Sequence, residues 1–119
     1  MRRLLFTTMM LATAVCGGQF PEGFGVDIHF TDAKPGELKM LAGGGFQWVR
    51  MDLFWDATEK VKNVYDFSAY DRLASSLQAQ NLRLMLILDY ANPLYDNGAA
   101  PQSDEGRAAF VRWAARPAS

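Results

Sequence analysis

With 119 residues, half of them hydrophobic, the chain has the material for one small folded domain and is neither disordered nor fibrous. Its 12 basic and 13 acidic side chains are interspersed, so no field gathers a polyanion and no nucleic acid is expected as a partner. One cysteine and one histidine exclude an internal disulfide and a Cys/His metal cluster, and no motif asks for a cofactor.

Met1-Arg2-Arg3 ahead of apolar residues 4–15 has the charged start and short apolar core of a secretory signal, and Ala12-Thr13-Ala14 suits its cleavage. The expectation is a signal peptide over residues 1–15 and a secreted or periplasmic product. A membrane anchor competes with this reading, but the stretch falls short of the roughly 20 apolar residues a bilayer needs, so no membrane span is expected. Cys16 raises lipid attachment as a minor reading, since Val15 is bulkier than such a site wants; the plainer one is an inert remnant of the export region.

From residue 25 the pattern alternates strand and helix. Residues 25–30 read as a short strand with Val26, Ile28 and Phe30 on one face and Asp27 and His29 on the other. Lys34-Pro35-Gly36 opens a helix, Pro35 suiting the first turn, where its missing N–H is no loss. Leu38, Leu41 and Ala42 form its apolar stripe, and Gly43-Gly44-Gly45 closes it.

Residues 47–53 make a second strand, sending Trp48, Arg50 and Asp52 to one face and Val49, Met51 and Leu53 to the other. A polar loop over residues 56–66 follows. Ser68 with Asp71 resembles a capping box, and Phe67, Tyr70, Leu73, Ala74 and Leu77 recur at helical spacing. Residues 82–88 are almost continuously apolar, as in a strand buried on both faces of a parallel sheet. Asp89-Tyr90-Ala91-Asn92-Pro93 ends that strand, because Pro93 cannot continue it. Ser103-Asp104-Glu105 caps a last helix whose apolar positions are Phe110, Val111, Trp113 and Ala114. Phe46, Trp48, Phe67, Tyr70 and Trp113 read as core.

Three strand-helix units in succession predict an α/β fold with a parallel sheet, either open or the beginning of an eight-fold barrel. An open nucleotide-binding sheet needs its glycine-rich turn after the first strand, whereas the glycines here follow a helix and precede a strand. Barrel enzymes instead gather polar side chains where strands end. His29, then Arg50 with Asp52, then Asp89 with Tyr90 and Asn92 stand at those ends, which favours the barrel.

On these residues the chain is similar to a known group. Gly25-Val26-Asp27-Ile28-His29-Phe30, Gly45-Phe46-Gln47-Trp48-Val49-Arg50-Met51-Asp52, Val64-Tyr65-Asp66-Phe67-Ser68-Ala69-Tyr70-Asp71 and Leu88-Asp89-Tyr90 resemble the amino-terminal third of clan A glycoside hydrolases, in particular proteins related to families 39 and 5. The resemblance covers about residues 23–113. It implies a (β/α)8 TIM barrel that hydrolyses O-glycosidic bonds with retention, by two carboxyl groups about 5 Å apart. The family's catalytic pair are glutamates after strands four and seven, and this chain stops before strand four.

None of Glu22, Glu37, Glu59 and Glu105 lies at a strand end. The expectation is therefore a truncated glycoside hydrolase over residues 23–116, inactive alone, with no catalytic residue of its own. The resemblance makes Arg50 the strand-two arginine that steadies a nucleophile. Pairing with Asp52 or Asp27 to neutralise charge is the rival reading. His29, Arg50, Asp52, Trp55, Asp89, Tyr90 and Asn92 are the candidate saccharide contacts, with Trp55 stacking on a sugar ring or packing under its loop. His29 has a structural reading beside that one, and Asn92 before Pro93 fits turn chemistry equally. The expected partner is an oligo- or polysaccharide. Two alternatives stay open, a non-catalytic saccharide-binding module and an exported module that self-associates through open sheet edges.

Overall fold

The computed structural model describes residues 23–116, so the expected signal segment and Cys16 lie outside the described residues. Strand β1 (Gly25–Asp27), helix α1 (Glu37–Gly43), strand β2 (Trp48–Phe54), the short helix α2 (Trp55–Thr58), helix α3 (Ser68–Gln78), strand β3 (Arg83–Asp89) and helix α4 (Asp104–Ala114) follow in that order. The strands form one parallel sheet in the order β1-β2-β3. The α/β class and the parallel sheet agree with the alternation read from sequence.

The register sets two faces. Val49 lies beside Leu84, Met51 beside Leu86 and Leu53 beside the exposed Leu88, and all but Leu88 join the buried side chains of the helices: Leu38, Tyr70, Leu73, Leu77 and Trp113. The opposite face aligns Asp27 with Arg50 and Met85, Asp52 with Ile87, and Phe54 with Asp89. Alternation thus divides each strand between an apolar layer under the helices and a face carrying charge.

Several boundaries differ from expectation for local reasons. β1 ends at Asp27, although Ile28 N–H still donates to the Arg50 carbonyl at 3.0 Å before the chain leaves the sheet. α1 begins after Pro35, because Gly36 at φ 84° turns the chain and the Glu37 carboxylate reaches back to Lys34 N–H at 2.8 Å. The glycine run does end this helix: Gly45 takes φ 89°, its N–H meets the Ala42 carbonyl, and Phe46 stacks on Phe24. No capping box forms at α3. Asp66, two residues before Ser68, accepts the Ser68 N–H at 3.0 Å, so Ser68 is already helical. The Ser68 contacts hold the Asp66 carboxyl below its ordinary range.

At α4 the Ser103 cap forms as read, its hydroxyl accepting Gly106 N–H at 2.9 Å. Its buried line is Gly106, Ala109 and Trp113, which leaves Val111 facing water. Ala74 of α3 is likewise exposed. β3 departs most. It is partly exposed along its whole length, because among the described residues β2 is the one strand beside it.

Candidate functional site

Because the strands are parallel, their carboxyl ends open on one rim. Within the charged face, at the end of β1 but in the middle of β2 and not at the strand end where the sequence reading put it, Arg50 ties two strands together: Nη1 donates to Asp27 Oδ2 at 2.9 Å, and Nη2 lies 2.8 Å from Asp52 Oδ1. Both pairings foreseen as rivals for Arg50 therefore exist at once. The contact to Asp52 is close but poorly aligned as a hydrogen bond, leaving that buried oxygen with charge attraction alone. Asp52 is nearly buried, whereas Arg50 and Asp27 keep 38% and 42% of their side chains exposed, enough for a ligand to touch them. His29 Nε2 stands 3.8 Å from Asp27 Oδ2 on the water side.

The rim continues across β2 to β3. Phe54 and Tyr90 stack with centroids 4.5 Å apart, and Tyr90 sits at φ 68° with its N–H bound to the Asp89 carboxylate at 2.7 Å. That left-handed backbone is uncommon for a tyrosine and turns the ring back over the sheet. Half of Tyr90 remains exposed. Beneath the rim, the Tyr70 hydroxyl donates to the Asp52 carbonyl at 3.1 Å and accepts Phe54 N–H at 3.2 Å, locking the strand end to α3. Burial is the main cause pushing the Tyr70 phenol above its ordinary pKa.

Two candidates go elsewhere. Trp55 is 1% exposed, sandwiched between Tyr95 and Trp113 with Phe110 at its edge. Stacking on a sugar is ruled out by that packing, since both ring faces are already covered. Asn92, equally buried, donates to the Glu59 carbonyl at 2.8 Å and accepts Leu94 N–H at 2.9 Å, which is turn chemistry before Pro93. Both belong to a polar knot centred on Glu59, whose carboxylate accepts Trp55 Nε1 at 2.6 Å, Asn63 N–H at 2.7 Å and the Tyr95 hydroxyl at 2.8 Å. Sequence reading weighed Glu59 only as a strand-end acid and passed over Tyr95. The i, i+4 spacing of Trp55 and Glu59 was the available signal, hidden because a four-residue helix has no visible period.

Three hollows are pertinent. One of 450 Å³ runs beside the rim between His29, Phe54, Lys60 and Tyr70, and one of 500 Å³ lies on the charged sheet face between Asp27, Trp48, Arg50 and Met85. The largest, 620 Å³, is on the helix side against Leu84, Leu86 and Leu88, away from Asp27, Arg50, Asp52 and Asp89, with Asp71 and Arg116 at its margin. The chemistry points to the first two, because shape without convergent polar groups selects no ligand. No group of three or more metal-ligating side chains occurs among the described residues, and no helix among them is long and apolar enough to cross a membrane.

No protein-family model matches the sequence, and no curated protein matches it. Solved structures do match in fold. One is a family 39 glycoside hydrolase from the gut symbiont Bacteroides cellulosilyticus WH2, with a TM-score of 0.68 and 20% identity over 79% of this chain. The match spans 21% of that protein, so this chain corresponds to about a fifth of it. At this identity the likeness establishes a glycoside hydrolase-like fold.

Proposed function

We propose that this chain supplies the first three βα units of a clan A glycoside hydrolase TIM barrel, and that its rim holds part of a saccharide. The observation that carries this reading is the bridge from Asp27 through Arg50 to Asp52, laid across the charged face of β1 and β2 with two of its three members open to solvent. Guanidinium donors and a carboxylate acceptor held at fixed spacing suit neighbouring sugar hydroxyls, which both give and accept hydrogen bonds. The exposed ring of Tyr90 suits the apolar side of a pyranose. His29 and Asp89 border the same rim.

Hydrolysis is not assigned to these residues. Retention demands one carboxylate free to attack and one carboxylic acid to protonate the leaving oxygen. Asp27 and Asp52 are instead both paired with one shared arginine, which leaves neither free for the attacking or the acid role. Export to the periplasm or beyond, inferred from residues 1–15, belongs to the same proposal.

Titration of the 119-residue chain with gluco- and xylo-oligosaccharides, followed by NMR, tests it. Saturable shifts at Asp27, Arg50 and Tyr90, lost in Arg50→Ala and unaccompanied by sugar release, support the reading. A flat titration across both panels rejects saccharide recognition by the chain alone. An Asn-Glu-Pro-like strand end in the coding sequence after codon 119 would support the enzymatic half, and its absence there would remove it.

A further inference from the structure

Between β3 and α4 the chain winds through one left-handed turn. Asp96, Asn97 and Gly98 take φ of 46°, 54° and 78° in succession. Gly98 N–H on the Tyr95 carbonyl at 2.9 Å and Ala99 N–H on the Asp96 carbonyl at 3.0 Å close the turn. Asparagine and glycine suit this backbone, since glycine has no Cβ to clash and asparagine tolerates positive φ better than most side chains. They are also the pair most prone to spontaneous deamidation, because glycine leaves the backbone nitrogen after asparagine unhindered. Asn97-Gly98 is the one such pair in the sequence; Asn63, Asn81 and Asn92 precede Val64, Leu82 and Pro93.

The reaction is intramolecular. The Gly98 nitrogen, having lost its proton, attacks Cγ of Asn97; the bond from Cγ to Nδ2 breaks, ammonia leaves, and a five-membered imide remains. Water then opens the imide at either carbonyl, giving aspartate or, with the main chain rerouted through Cβ, isoaspartate at position 97. The balance is amide plus water to acid plus ammonia, with no oxidant and no second protein.

We infer that Asn97 is a gated deamidation site: the folded turn holds its two reacting groups apart, and conversion proceeds from a locally opened loop that does not close again afterwards. Ring closure needs the Gly98 nitrogen nearly eclipsed with Cβ across the Cα–C bond of Asn97. At ψ 32° that nitrogen stands almost opposite Cβ. The proton it must lose is the one donated to the Tyr95 carbonyl. The turn is kept shut by the Asp96 carboxylate, which accepts Gln102 N–H at 3.0 Å and Ser103 N–H at 3.2 Å and so clasps the turn to the start of α4. The Asn97 side chain itself is exposed, so backbone conformation and not burial withholds it. Loops of this kind open far more often than a whole domain unfolds. Isoaspartate lengthens the main chain by one atom between positions 97 and 98, and the span from Gly98 N–H to the Tyr95 carbonyl then no longer fits the turn. None of this depends on a saccharide site.

The full 119-residue chain, incubated at mildly alkaline pH both folded in buffer and unfolded in guanidinium, is followed by peptide mapping with isoaspartate detection. The expected result is conversion at position 97 at least about tenfold slower in the folded chain, with a similar exchange protection of the Gly98 amide, since one opening releases both. Asp96→Ala removes the clasp and neither reacting group, and narrows the gap between the two states to about threefold or less. Circular dichroism verifies that it folds; if it does not, Gly106→Ala, whose Cβ displaces the same carboxylate, takes its place. The isolated isoaspartate form keeps its circular dichroism but loses exchange protection at the Gln102 and Ser103 amides. Equal conversion in both states, no conversion in guanidinium, or an unprotected Gly98 amide overturns the inference. A folded clasp variant that keeps the parent's gap, or an isoaspartate form that keeps both protections, overturns it equally.

Discussion

The indole N–H of Trp55 donates to Oε2 of Glu59 at 2.6 Å, in a place from which water is excluded. The other oxygen of Glu59 receives Asn63 N–H and the Tyr95 hydroxyl, so the buried carboxylate is matched by three donors from three stretches of chain. Thr58 extends the knot, accepting Trp113 Nε1 at 2.8 Å and donating to the Phe54 carbonyl at 2.9 Å. These contacts fix the end of β2 against α4. They act on the charged rim through the backbone and touch no ligand.

Replacing Glu59 with alanine leaves those donors buried without acceptors, each at a cost of about 1–3 kcal/mol, beside a new void. Glu59→Ala is expected to lose at least about 3 kcal/mol in urea unfolding, a large share of a small domain's stability. Glu59→Gln keeps the shape but turns an amide toward a donor, and should lose less. An alanine variant within 1 kcal/mol of the parent would contradict the role given to the knot.

Tyr95 responds to alkali. Burial first, and then its hydrogen bond to Glu59, push the phenol from 10.0 up to about 12. Above pH 10 the unfolded chain releases this proton before the folded one does, so the unfolded state binds fewer protons and stability falls as pH rises through that window. Below pH 10 the contribution is fully present. Tyr95→Phe should be less stable at neutral pH by about 1 kcal/mol, yet should show a shallower decline between pH 10 and 12 in thermal melts. An unchanged slope in the variant would assign the alkaline loss to other groups.

Arg50 and Asp27 separate burial from exposure. Arg50→Ala strips Asp52, which is 7% exposed, of its countercharge and is expected to destabilise the chain by about 2–4 kcal/mol in denaturant titrations. Asp27→Asn breaks the outer, solvent-facing half of the bridge and should change stability by less than about 1 kcal/mol. Equal effects from the two would mean that the bridge does not distinguish its ends.

Gly106 makes room for a cap. A Cβ there would overlap the Asp96 carboxylate, which accepts Gln102 N–H at 3.0 Å and Ser103 N–H at 3.2 Å ahead of α4. The Ser103 contact first, then the Gln102 amide, hold the Asp96 carboxyl below its usual value. A lowered folded pKa contributes stability above the unfolded value of 3.8 that is lost as pH falls below it. Gly106→Ala displaces Asp96 and should flatten that acid-side loss, as read from urea unfolding at pH 6 and pH 3. Unchanged acid sensitivity would show that the carboxylate had simply kept its place.

Legibility followed periodicity. β2 was readable because alternation carries through all of residues 48–54, and the Ser103 cap because a hydroxyl before an acidic first turn has one common use. β3 announced itself as a strand, but its apolar run said nothing of how many neighbours it has. Trp55 and Asn92 stayed open between two readings, since an aromatic and an amide after a strand look alike whether they line a cleft or fill a core. The fate of Trp55 hinged on Tyr95 and Trp113, distant in the chain, packing on its ring, and that of Asn92 on the Glu59 carbonyl.

The sequence by itself determined the α/β alternation, the glycine stop after α1 and the side of β2 on which Arg50 and Asp52 stand, because each follows from dihedral preference or a period of two along the chain. Tertiary structure alone decided that Arg50 holds Asp27 as well as Asp52, that Glu59 is buried and satisfied, and that β2 lies between β1 and β3. Those are distances between residues far apart in the chain. They depend on register and on which surfaces meet, and no local pattern encodes either.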